Sequence, residues 1–230
     1  MAKVLREGTD PKFYDKFGLE ICDPADQLRV QAGKDWLKAE EIAALEETRD
    51  GYLMEFRRSE HPWRAEFLPQ KLCMTKGKEL PDYTRSIPGC NNEYSHGGLV
   101  SSKLKSVIEN HQSEHDGWQF FPVEILNKDR SVYGTHYIWW VHKVVDAIDP
   151  TSEGIKSVAG PVDGRHAWTH IGEKSPERLK LQNSAISGLA AWLDFRFFPR
   201  GKVFVSDSLF ASMEEAGISY FRPDSIWSEV

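Results

Sequence analysis

Apolar residues recur at two periods along the chain. In "GKDWLKAEEIAALEETRDG", Trp36, Leu37, Ala44 and Leu45 fall near one helical face and Asp50-Gly51 supplies a stop, which predicts a helix from about Lys34 to Thr48. In "VSSKLKSVIENHQSEHDG", Leu104, Val107, Ile108 and His111 keep helical spacing behind a Ser101 or Ser102 cap, so a helix is expected to about His111 or Glu114. Ser206 caps a third helix over 207–216, closed by Gly217. The β-branched and aromatic runs "WQFFPVEIL" and "VYGTHYIWWVHKVVDAID" read as strands, the second a long central one bent near Gly134; "ERLKLQNSAI" and "AAWLDFRFF" read as further strands, the latter with enough Ala and Leu to be helical instead. "YLMEFRRSEHPW" is a strand or short helix broken at His61-Pro62. Residues 1–32 read as turns around short extended pieces, and 149–176, polar with Gly and Pro throughout, as a long surface loop.

One order of features occurs twice: apolar lead-in, Ser cap, helix, Gly, aromatic strand with Pro. It runs from Leu99 to Glu124 and again from Val203 to Asp224. Nothing in it pairs a nucleophile with a base, so it builds fold. The expected class is α+β: a mostly antiparallel sheet with packed helices, containing two similar strand-helix-strand units, plus a smaller N-terminal helical part. The Pro, Gly, Asn and Ser of residues 69–98 place the boundary there, giving an N-terminal α-rich part over 1–85 and an α+β domain over 86–230.

Composition narrows the function. At 40% hydrophobic and 28% charged, the 230 residues can bury a core. Eight Trp, seven Tyr and twelve Phe supply core and contact anchors. A net charge of −6 argues against nucleic acid as a direct partner and suits a basic protein partner. No apolar run reaches the length of a membrane span, and the first 18 residues carry no apolar leader, so no membrane partner and a cytoplasmic location are expected. Cys22, Cys73 and Cys90 are odd in number and widely spaced, which fits reduced thiols better than a disulfide framework.

Several clusters could carry chemistry. His111, Glu114 and His115 have H-x-x-E-H spacing; on a helix the two His would share a face and ligate Zn²⁺ with Glu114 as base, the alternative reading of the chain as a zinc-dependent hydrolase. Asp116-Gly117 ends the helix too soon for that, and no third ligand stands out. His166 and His170 repeat the spacing within the expected loop. Cys90 and His96 could form a nucleophile pair, but neighbours in sequence rarely make one in space. Glu40/Glu41, Glu46/Glu47 and Glu214/Glu215 read as solvated helix faces. No phosphate-binding or dinucleotide fingerprint occurs, so no cofactor and no catalytic role are expected.

"VSSKLK", "QFFPVEI", "VVDAID" and "VFVSDSLFASMEEAGISYFRP", in this order over roughly residues 97–225, resemble the Myxococcus-type immunity-protein domain, formerly a domain of unknown function. The resemblance implies an antitoxin that binds and occludes a cognate bacterial toxin, such as a basic nuclease delivered by type VI secretion in competition between bacteria. The family pattern features neither HQSEH nor HAWTH. The expected contact surface is the 149–175 segment, through Asp163, Arg165, His166, Trp168 and His170, joined by Asp146 and Asp149.

Overall fold

The computed structural model describes residues 1–8, 16–48, 62–85, 87–88, 97–162, 165–170, 179–198 and 202–230. The class is α+β with mixed sheets, mostly strands. β1 (Ala2–Glu7) and β2 (Gly18–Glu20) precede α1 (Pro24–Thr48). A 3-10 turn at Ala65–Phe67 leads to β3 (Lys71–Lys76), β4 (Tyr83–Thr84) and β5 (Gly97–Ser101). Then come α2 (Ser102–Glu109), β6 (Trp118–Leu126), β7 (Val132–Val141) and β8 (Val144–Val145). β9 (Ile155–Val162), β10 (Arg165–His170) and β11 (Lys180–Leu181) lead to the short helix α3 (Asn183–Ile186). β12 (Ala191–Asp194), β13 (Phe197–Phe198), β14 (Phe204–Val205), α4 (Asp207–Glu215) and β15 (Phe221–Glu229) complete the order.

Two six-stranded sheets run β11-β15-β1-β14-β12-β8 and β2-β3-β6-β7-β5-β4, and a three-stranded one runs β13-β10-β9. Most pairings are antiparallel; β3–β6, β8–β12, β11–β15 and β10–β13 are parallel. β5 and β6 flank β7 and run antiparallel to it, with α2 between them in sequence. β14 and β15 flank β1 in the same way, with α4 between them. Residues on both sides of position 85 therefore share each large sheet, β1 pairing with β14 and β15, and β3 with β6.

Both large sheets carry core on both faces at their centres, so β5, β12 and the end of β7 are buried continuously where a half-exposed strand would alternate. In β12, Ala191 and Leu193 enter a core shared with Val100, Trp139, Leu104 and Leu209, while Trp192 turns to a second core with Val4, Phe204 and Trp227. A third core, of Leu72, Leu99, Ile125 and Ile138, covers the far face of the β7 sheet. Gly97 is required where β5 meets β7: a Cβ there would lie 1.9 Å from the Trp139 carbonyl oxygen. No helix among the described residues is long and apolar enough to cross a membrane.

Several expectations change. α1 begins at Pro24, ten residues before Lys34, because Asp23 caps it: its Oδ1 accepts from the Ala25 N–H at 2.9 Å, and Pro24 occupies the first helical position. The expected long strand over 132–149 stops at Val141, and the chain crosses from one large sheet to the other to form β8. "ERLKLQNSAI" yields the two-residue β11 and then α3. The loop expected over 149–176 contains β9 and β10 instead; Val158, Val162, Trp168 and Thr169 are strand formers that the Gly and Pro content masked. Cys22 and Cys73 form a disulfide, so reduced thiols are corrected for that pair; β2–β3 pairing carries the chain to Cys22 beside Cys73. Residues 52–61 of "YLMEFRRSEHPW" lie outside the described residues, as do Cys90 and His96.

Candidate partner-binding surface

Of the expected contact residues, Arg165, His166, Trp168 and His170 lie on β10 of the β9–β10 hairpin. Its pairs run from Ile155↔His170 to Val162↔Arg165, with His166 opposite Pro161 and a bulge between His166 and Trp168. β13 adds to β10 in parallel at Trp168↔Phe197. Among the described residues β9 pairs with β10 alone and ends the small sheet.

The base of this sheet is anchored twice. The Trp168 N–H donates to the Arg196 carbonyl at 2.7 Å, and the Trp168 ring packs on the core of Val4, Trp192 and Phe204. The Arg196 guanidinium is gripped by Asp146, with Nη2 donating to Oδ2 at 2.8 Å and Nε 2.7 Å from Oδ1. One hydrogen bond and one close charge contact thus join the two side chains.

Asp194 completes the anchor from below. Its Oδ2 accepts from the Ala147 and Ile148 N–H groups at 3.0 and 3.1 Å, and its Oδ1 from the Arg196 N–H at 2.9 Å. The side chain is 4% exposed. Burial pushes its pKa up to about 7, and the nearby Asp146 charge adds to this, although the three N–H donors favour the carboxylate.

Asp146 and Trp168 thus meet through Arg196. Asp149 does not join them. It closes a turn, its Oδ1 accepting from the Thr151 N–H at 2.7 Å, and bonds from Thr151 hold its carboxyl below the usual range. Arg165, His166 and His170 are on β10; Asp163 lies outside the described residues. Asp194 and Arg196 were not singled out from sequence. Their signal was an acid and a base two apart inside "AAWLDFRFF", where burial demands partners.

The H-x-x-E-H cluster lacks the helix on which the zinc reading depends. α2 ends at Glu109, so His111 and His115 share no helical face. His111 Nε2 is 2.9 Å from Ser212 Oγ on α4, and His115 is exposed beside Glu114 at 3.6 Å. His111 also lines a cavity of about 300 Å³ with Ser206, Ser208 and Glu229. Among the described residues, no three His, Cys, Asp or Glu side chains are grouped to hold a metal ion. The zinc-hydrolase alternative is unsupported.

No curated protein matches the chain. The family model described as Immunity protein family (Imm11) matches residues 92–226, more than half of it, from just before β5 to within β15. The span takes in both Ser-capped helices, the hairpin and its Asp146–Arg196 anchor. The chain belongs to the Imm11 immunity protein family.

Proposed function

We propose that this protein binds its cognate bacterial toxin directly and blocks it by occlusion, without catalysis. The family match over residues 92–226 carries the reading. The toxin inferred is a basic nuclease effector delivered by type VI secretion in interbacterial competition. A net charge of −6 supports a basic partner, because opposite charge speeds encounter. On this reading the protein acts in the cytoplasm and contacts neither nucleic acid nor membrane.

The proposed contact surface is the β9–β10 hairpin with the turn before it. Arg165, His166 and His170 of β10, together with Asp149 and Asp163, meet the toxin, while Asp146 and Trp168 hold the surface in place. Two features support this choice: a hairpin that ends its sheet among the described residues, and a base fixed through Arg196 and Asp194. The test is co-expression with the toxin encoded beside it. Growth rescue and a complex that survives gel filtration are expected; association should slow as salt rises and in Asp149→Lys/Asp163→Lys. Absence of both complex and rescue overturns the reading.

A further inference from the structure

The Cys22–Cys73 disulfide takes no part in toxin binding as read above. Cys73 lies in β3 and is 3% exposed, whereas Cys22 is partly exposed, just ahead of the Asp23 cap of α1. A third element reaches this pair. The β6–β7 turn is closed by the Asn127 N–H donating to the Ser131 carbonyl at 2.8 Å and the Arg130 N–H to the Asn127 carbonyl at 2.9 Å. Arg130 sits at φ +68°, and from there its Nη1 donates to Cys73 Sγ at 2.9 Å. The neighbouring Asp129 carboxylate is bonded to Ser131, at 3.0 Å from its N–H and 2.6 Å from its hydroxyl.

A disulfide sulfur is a weak acceptor and gains little from a guanidinium. A thiolate gains much more, because a neighbouring cation lowers the pKa of the thiol. The two cysteines are also unequally exposed, Cys22 the more so. We propose that Cys22–Cys73 is a thiol–disulfide exchange site for a dithiol reductant, opened by attack at Cys22, with Cys73 leaving as a thiolate held by Arg130.

The electrons balance as follows. One reductant thiolate attacks Cys22 Sγ; the new sulfur–sulfur bond forms as the Cys22–Cys73 bond breaks, and the pair of electrons leaves on Cys73. The second reductant thiolate attacks the reductant's own sulfur in that mixed disulfide. A cyclic disulfide departs, and Cys22 takes up a proton. The reductant is oxidised by two electrons and the protein disulfide is reduced by two. A leaving thiol of lower pKa leaves faster, which is the advantage Arg130 confers.

Opening unties the start of α1 from β3 without undoing the fold there. β2 still pairs with β3, and Asp26 Oδ2 still accepts from the Gln70 and Lys71 N–H groups at 3.0 and 2.8 Å.

The test treats the native protein with dithiothreitol, traps its thiols over time and follows circular dichroism. Two additional thiols are expected while the native spectrum persists. Arg130→Gln should slow reduction about threefold, and Arg130→Lys should restore most of the rate. In Cys22→Ser/Cys90→Ser, the ultraviolet absorbance of the Cys73 thiolate should titrate about one pH unit higher once Arg130→Gln is added. Reduction only on unfolding overturns the proposal. So does an Arg130→Gln protein with the wild-type rate.

Discussion

α2 and α4 start on the same device and leave it differently. Ser101 and Ser206 hold extended backbone, and each side-chain oxygen accepts from an N–H three residues on, Leu104 and Leu209, at 3.2 Å in both cases. Leu104 and Leu209 then enter one shared core. α4 ends at once: Gly217 takes φ +59°, the Ile218 N–H returns to the Met213 carbonyl at 3.0 Å and the Gly217 N–H to Glu214 at 2.9 Å. α2 has no glycine at its end. It unwinds through three-residue bonds, His111 to Ile108 and Gln112 to Glu109, and reaches Gly117 only after HQSEHD.

Those extra residues join the two halves. His111 meets Ser212 on α4. The Ser113 hydroxyl donates to the Gly188 carbonyl at 2.9 Å, and Asp116 Oδ1 accepts from the Ala190 N–H at 2.8 Å, beside β12 of the other sheet. The cluster that looked like a metal site is therefore a fastening, and its histidine spacing is incidental to helix geometry. Asp82 makes a similar joint, accepting from the Ser101 hydroxyl at 2.6 Å and from the Ser219 N–H at 2.9 Å.

The comparison breaks most decisively in the core. Leu104→Ala and Leu209→Ala should each cost about 2–5 kcal/mol in urea unfolding, and by similar amounts, since both are fully buried. A large asymmetry would show that the two helices do not share the load.

Asp194 in one large sheet and His136 in the other are both buried, and the two act in opposite directions. Asp194 has a pKa of about 7 when folded against 3.8 ordinarily, so its neutral form stabilises the fold fully below about pH 4, and this is lost as pH rises to about 7. The span is worth roughly 4 kcal/mol, and Asp194→Asn should flatten it in unfolding measured across pH. Burial lowers the pKa of His136 below 6.5, so its contribution is present above pH 6.5 and lost as pH falls through the folded value; His136→Leu should remove that acid-side loss.

The caps separate next. Ser206→Ala should cost about 1 kcal/mol, and Ser101→Ala about 2, because Asp82 loses a donor as well. Equal costs would mean that the Asp82 joint adds nothing. The smallest effect belongs to His111→Ala, roughly 1 kcal/mol or less from one neutral hydrogen bond. Metal analysis of wild type and variant should give the same substoichiometric zinc; stoichiometric zinc lost in the variant would restore the metal reading.

Legibility in the sequence followed the range of the interactions. The Ser caps and the strand over 118–126 were readable because capping and β-propensity act within a few residues. α1's start was misread because Asp-Pro serves a turn and a helix start equally well. The crossover at His142–Lys143 was hidden because apolar residues continue on both sides, and only the fold decides which sheet receives them. The disulfide was unreadable at a separation of 51 residues. Within 149–176 the Gly and Pro content hid both strands, and the Asp194–Arg196 anchor depends on Asp146, some fifty positions away.

Titration calorimetry of the purified cognate toxin into the wild-type protein and into Arg165→Glu/His166→Ala/His170→Ala tests toxin binding through the β10 surface most directly. The expected result is saturable binding by the wild type and at least about thirtyfold weaker binding by the variant at unchanged melting temperature. A wild-type protein that does not bind the toxin, or a variant that binds it as tightly, would contradict the account.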